Sequence, residues 1–233
     1  MANQNIRTPR FYPDMVNYLM NRGVASSEFS VLATSSGNHT IGTFTSGSAP
    51  ELFDMKPLNK CSWDTSSESD LRADHVLINI DLQSANSKSN YVAILNHNLN
   101  SAKGKIRIFA GDIASDVTAV DGANAETADI TWANDTLSEV VNADTITVAT
   151  DNKSVVIEPA ADGTTIVTFP EQGLRYWAIQ FEGADGGSGA VTTETFSATV
   201  DLFVGCVMIG EYFTMPHAPD LSVKRSIAFD SVS

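Results

Sequence analysis

Cysteine is scarce, basic residues are few, and long apolar runs are missing. Cys61 and Cys206 stand far apart with no CxxC or other ligand spacing, which argues against zinc and leaves two small core thiols as the default. A Cys61–Cys206 disulfide stays open at this level. Fourteen Lys and Arg face twenty-eight Asp and Glu, for a formal net charge of −14. Between residues 112 and 171 Lys153 is the only cation against twelve carboxylates. Such a surface repels phosphate backbones and excludes nucleic-acid binding as the leading function. No run approaches the length of a membrane span, and residues 1–7 have no apolar signal core, so the expectation is cytosolic synthesis without membrane insertion. Chemistry-bearing motifs are missing too. There is no GxSxG before a helix, no GK[ST] after Gly183–Gly189 and no HxH or HExxH, so the expectation is a protein that is not an enzyme and has no cofactor.

What is present is strand signal. Three apolar runs, 75–82, 91–95 and 104–111, are separated by Ser/Asn/Gly/Lys clusters and predict consecutive antiparallel strands. In the first, Val76, Ile78, Ile80 and Leu82 alternate with His75, Leu77, Asn79 and Asp81. One face belongs to a core, and the other is expected to be mostly wet. Ile106, Ile108 and Ala110 repeat the pattern against Lys105, Arg107 and Phe109. Tyr91 to Leu95 is apolar at every position, as a central strand covered on both faces would be.

Elsewhere, Asp14 stands at a helix N-cap position and Gly23 at its C′ position, predicting one short helix between them, with an extended edge segment as the alternative. Residues 29–44 look like a hairpin turning at Ser35–Asn38, and residues 45–73 like a long loop anchored by Leu52, Phe53, Leu58 and Trp63. Strands are expected at 130–132, 145–149, 155–158, 164–169 and 175–181, the last with Trp177, Ile179 and Phe181 facing the core. Residues 196–201 and a buried run at 202–210 follow. Many short strands and little helix predict an all-β jelly-roll β-sandwich with Greek-key connections, long loops and one short N-terminal helix. The expected organisation is an arm over 1–28, a sandwich over 29–211 with an acidic insert at 112–171, and a docking tail over 212–233.

Two segments carry a family likeness. Ser89-Asn90-Tyr91-Val92-Ala93-Ile94-Leu95-Asn96-His97-Asn98-Leu99, followed by Gly104–Ile108, resembles a strand–turn–strand in the discoidin-like (galactose-binding-like) jelly rolls of bacteriophage virion proteins. Arg175–Phe181, Val207–Phe213 and the Pro216–Arg225 exit are similar to the closing part of the same proteins. The resemblance implies a non-enzymatic virion subunit of the tail tip, baseplate or fibre-attachment region that acts by oligomeric packing with itself and other virion proteins. A capsid-decorating subunit and a glycan-binding host-attachment module are the alternatives.

Candidate residues follow from these readings. Phe11, Tyr12, Tyr212, Phe213, Pro216, Pro219, Ile227 and Phe229 in the terminal segments are candidates for intersubunit contact. Tyr12, Trp63 and Trp132 lie in or beside predicted loops, where each ring either anchors its loop or stacks on a host-surface sugar. His97, between Asn96 and Asn98, either ties a turn through its ring nitrogens or contacts that sugar. Asp112, Asp116 and Asp121 could supply oxygens to a calcium ion, without the DxDxDG spacing that would make the site specific.

Overall fold

The computed structural model describes residues 9–32, 41–66, 75–84, 86–118, 125, 127–133, 137–184 and 194–215. In chain order the elements are β1 (Arg10–Phe11), α1 (Met15–Asn21), β2 (Phe29–Val31), β3 (Cys61–Trp63), β4 (His75–Asp81), β5 (Ser89–His97), β6 (Gly104–Gly111), β7 (Glu139–Val141), β8 (Thr145–Val148), β9 (Val155–Glu158), β10 (Gly163–Gln172), β11 (Tyr176–Gly183), β12 (Leu202–Val204), β13 (Cys206–Gly210) and β14 (Phe213–Thr214). Short 3-10 turns occupy Ser26–Glu28, Ala49–Phe53 and Ala114–Val117. Two antiparallel sheets form the body, one in the order β2-β4-β11-β6-β9-β8 and the other β13-β5-β10-β7. Two ribbons, β1-β14 and β12-β3, complete the fold. The protein is an all-β sandwich.

The three runs at its centre are strands, but they do not pair with one another. β4 and β6 lie in the six-stranded sheet on either side of β11, while β5 crosses to the four-stranded sheet between β13 and β10. Each crossing lets a strand bury its apolar face against the opposite sheet. Val76, Ile78 and Ile80 of β4, Ile106 and Ile108 of β6, and Trp177, Ile179 and Phe181 of β11 join Val92 and Ile94 of β5, Val167 of β10 and Val207 and Ile209 of β13 in one fully buried cluster. Each large side chain so buried contributes roughly 1.5–3 kcal/mol before entropy is counted. β5 is covered on both sides, as its unbroken apolar run requires. Its other face places Tyr91 and Ala93 in a second cluster with Cys206, Met208, Tyr12 and Tyr212.

The expected wet face of β4 and β6 is a correction. His75, Leu77, Asp81, Lys105, Arg107 and Phe109 are all buried, as are Ala178, Gln180 and Glu182 of β11. At one end the turn Ala114–Val117 lies over this face, so close that a Cβ on Gly111 would come within 2.4 Å of Asp116 Cβ. Toward the other end the charged side chains neutralise one another.

Other expectations change in detail. α1 starts and stops as its caps dictate: Asp14 Oδ1 accepts the Val16 N–H, and Gly23 takes φ +92° just beyond the C-cap. The 29–44 hairpin is replaced, among the described residues, by two separate attachments to β4, Leu32 N–H to Leu77 O and Ile41 N–H to His75 O. Its turn lies outside the described residues. The 45–73 loop contains β3, and residues 130–132 are mostly buried chain rather than a strand of a sheet. The run 202–210 breaks at Gly205, where a Cβ would sit 2.0 Å from the Pro57 carbonyl oxygen, so β12 pairs with β3 and β13 with β5. The acidic stretch 112–171 supplies β7 to β10, strands of both sheets, and is part of the sandwich rather than an insert.

Candidate functional site

Two surfaces concentrate chemistry, one on the outer face of each sheet. On the four-stranded sheet, residues from the two ends of the chain meet. Arg10 pairs with Thr214 and Phe11 with Phe213 in the β1-β14 ribbon. The Tyr12 ring stands edge-on to Tyr91 at 5.0 Å and tilts against Tyr212 at 5.7 Å, and the Tyr91 hydroxyl donates to the Pro13 carbonyl at 2.6 Å. Arg10 lies over the Tyr212 ring and donates to Glu139 Oε2 at 2.7 Å. These contacts clamp the ribbon to β5 and β7. Phe11 and Phe213, by contrast, remain 56% and 54% exposed, side by side at one register position, with Met215 at 38%. Two neighbouring exposed Phe rings on an anchored ribbon form an apolar patch, not scattered single residues.

Between the ribbon strand β1 and α1 sits Asp14, buried. One carboxylate oxygen caps α1, while Oδ2 is buried without a hydrogen-bond partner. Burial pushes its carboxyl up to about 7, against the pull of backbone N–H groups including Val16 and Ile209. Burial likewise raises the Cys61 thiol to about 11 and the Cys206 thiol to about 12, and both thiols are free. They are inert core groups.

On the six-stranded sheet the buried charges form a network. Glu182 receives Arg107 Nε at 3.0 Å and Nη2 at 2.9 Å, the two-pronged geometry that suits a guanidinium, and accepts Gln180 Nε2 at 3.1 Å. Arg107 Nη1 donates to Ser154 Oγ at 2.8 Å, and Lys105 contacts Glu194 and lies 4.0 Å from Glu182. Beside it Lys105, Arg107, Thr147, Thr150, Val156, Glu158 and Glu194 line a cleft of about 300 Å³, at the small end of ligand pockets. Reading β6 and β11 separately missed this network. The signal lay in the sign of the charges: Lys105 and Arg107 share one face of β6, and Glu182 occupies the matching face of β11.

The sugar-stacking expectation does not survive for the tryptophans. Trp63 is fully buried against Phe44, and Trp132 stands edge-on to Phe169 at 5.2 Å, so neither presents a ring face. Tyr12 is committed to the tyrosine cluster. His97 is buried as well. A bulge brings it inward, because Leu95 pairs with Thr164 and His97 with Gly163, leaving Asn96 extra at φ +51°. Its Nδ1 accepts the Leu99 N–H at 3.2 Å, so Nε2 carries the proton and donates to Thr165 Oγ1 at 2.9 Å. Burial lowers its pKa to about 4, outweighing the attraction of Asp162. The ring ties the turn.

The Asp112 N–H donates to Asp129 Oδ2, and Asp116 Oδ2 accepts the Ile113 N–H. Among the described residues no group of three or more His, Cys, Asp or Glu side chains could hold a metal. Asp121, Pro216, Pro219, Ile227 and Phe229 lie outside the described residues. Among the described residues no helix is long and apolar enough to cross a membrane. No protein-family model, no curated protein and no solved structure matches the chain.

Proposed function

We propose that this protein is a non-enzymatic structural subunit of a bacteriophage particle, in the tail tip, baseplate or fibre-attachment region, and that the β1-β14 ribbon is its packing surface. The exposed Phe11–Phe213 pair carries the reading. A ribbon fastened on one side by three tyrosines and an Arg–Glu pair, and left apolar on the other, is built to be covered by a neighbouring subunit. The virion setting rests on the resemblance over residues 75–111 and 174–226. Those stretches include β5, β6 and β11, inner strands of the two sheets, and β13, the edge strand beside β5. The large acidic excess keeps such a subunit soluble and off nucleic acid before it is incorporated.

The test is incorporation. Phe11→Ser/Phe213→Ser, both at already exposed positions, is expected to fold with an unchanged melting profile and to fail to enter particles when it replaces the wild-type protein. Normal incorporation overturns the reading. Recovery on capsids rather than on purified tails would move the subunit to the decorating class.

One observation favours the second reading, a glycan-binding module. The cleft over β6, β9 and β8 is lined by Glu158 and threonine hydroxyls beside the paired Lys105–Glu194 and Arg107, a polar mixture of the kind that meets sugar hydroxyls. Saturable binding on a glycan array, lost in Glu158→Ala, supports it; a blank array at high protein concentration removes it.

A further inference from the structure

Among the described residues the six-stranded sheet ends at β8, with no strand beyond it. Natural sheets protect an edge with Lys, Pro, a bulge or a covering segment. Among the described residues no strand pairs with the free side of Thr145-Ile146-Thr147-Val148. It contains no charge and no proline, and its register to β9 runs without a break from Thr145↔Glu158 to Val148↔Val155. The doubled contact at Glu158, where Asp144 N–H also donates to Glu158 O at 2.8 Å, lies just ahead of it. Thr145 to Thr147 are exposed, and even Ile146 remains 41% exposed. The hydrogen bond from Ala149 N–H to Ser154 O, 2.9 Å, sets the phase of the ladder. Because bonded and non-bonded pairs alternate in an antiparallel ladder, Thr145 and Thr147 address β9, while Ile146 and Val148 turn their N–H and C=O outward. The other sheet treats an edge differently: at β13, Pro13 and Met15 pack against Gly210, where a Cβ would meet the Pro13 oxygen at 2.6 Å.

We propose that β8 pairs antiparallel with β8 of a second copy, about a two-fold axis at Thr147. In that register Ile146 exchanges both backbone bonds with Val148 of the partner, and Thr147 lies opposite its own counterpart in a non-bonded pair. Asp144 meets Thr150. Opposed threonines and opposed β-branched side chains are favourable cross-strand pairs, and no like charges face each other despite the overall charge of −14. Sliding the pair one step toward Asp144 sets Val148 against that carboxylate, and a one-residue slip turns the core-side Ile146 against threonine faces. An uncharged strand whose sequence complements itself fits a second copy better than a charged foreign segment. The contact is isologous and joins two six-stranded sheets into one. It goes beyond the assembly reading, since it needs no other virion protein and does not involve the ribbon.

Engineered cysteines test the register on the full chain. Cys61 and Cys206 are buried, so a thiol placed at an exposed position is the one that reacts. In Thr147→Cys the new thiols of a pair stand opposite each other, within reach of a disulfide after small adjustment; in Thr150→Cys they do not. Under mild oxidation Thr147→Cys is expected to give a covalent dimer at least tenfold more abundant than Thr150→Cys. Adding Ile146→Lys, a charge at an exposed edge position, is expected to abolish it with the melting profile unchanged. Equal cross-linking of the two cysteine variants, or cross-linking indifferent to Ile146→Lys, overturns the proposal. Phe11→Ser/Phe213→Ser leaves this dimer intact, so failure here and failure of the ribbon contact are distinguishable.

Discussion

The outer faces of the two sheets are both covered, and by opposite chemistry. On the six-stranded sheet Lys105, Arg107, Glu182 and Glu194 are buried together and answer one another's charge. On the four-stranded sheet Tyr12, Tyr91, Tyr212, Ala93 and Met208 form an apolar layer under a ribbon made from both ends of the chain. The charged face is held at its centre by Arg107 and Glu182 on neighbouring strands of the sheet, with Glu194 and the Ala114–Val117 turn closing the rest. The aromatic face depends on segments from outside its sheet. The first should therefore fail with the whole fold, and the second by release of the ribbon alone.

The largest effect expected is on the charged face. Glu182→Ala leaves Arg107 and Lys105 buried without their shared carboxylate and should cost about 3–5 kcal/mol, read as a lower denaturant midpoint for global unfolding. A loss under about 1 kcal/mol would mean that water reaches the network and that the two faces differ less than their burial suggests.

On the aromatic face Asp14→Asn sharpens the comparison through pH. The Asp14 carboxyl rises from an ordinary 3.8 to about 7 on folding, so the folded state holds that proton more tightly. Its contribution to stability is fully present below about 4 and is lost as pH rises to 7. Asn caps α1 as well and does not ionise. The variant should match or trail wild type at pH 4 and exceed it by on the order of a few kcal/mol at most at pH 8. Parallel stability curves for the two proteins would place the ionised Asp14 in contact with solvent. His97 works in the opposite sense. Its pKa falls from 6.5 to about 4 on folding, so its contribution is lost as pH drops through that window, and His97→Asn should flatten the acid limb.

The smallest effect is Tyr91→Phe, which removes the hydroxyl donor to Pro13 and keeps the ring. About 0.5–1.5 kcal/mol is expected. The informative readout is local: amides of β1 and β14 should exchange faster while those of β4, β6 and β11 do not change. Uniform acceleration would mean that the ribbon and the sandwich unfold as one unit.

Much of this was legible in the residues. Period-two alternation identified the inner faces of β4, β6 and β11, and the unbroken apolar run at 91–95 required a strand with two covered faces. Asp14 and Gly23 marked the ends of α1. These are local signals, because the reason for each lies within a few residues of it. The short strands β1, β3, β7 and β14 have no such signal: two or three residues show no period, and they exist only because a partner strand is held nearby. The candidate site divides the same way. Phe11, Tyr12, Tyr212 and Phe213 were identifiable as aromatic residues near the chain ends, but nothing in their order along the chain says that they meet on β5 and β13. Trp63 and Trp132 looked like loop residues and were drawn into the core, where burying an indole outweighs leaving it in water.

By itself, then, the sequence determined which segments could be strands, which side of each faces the core, and that the surface would be acidic. Only the tertiary structure decided which strands are neighbours. It also decided that the polar faces of β6 and β11 would be buried as ion pairs and that His97 would turn inward at a bulge. Pairing depends on long-range closure, and a charge tolerates burial only when its partner, distant in the chain, arrives beside it.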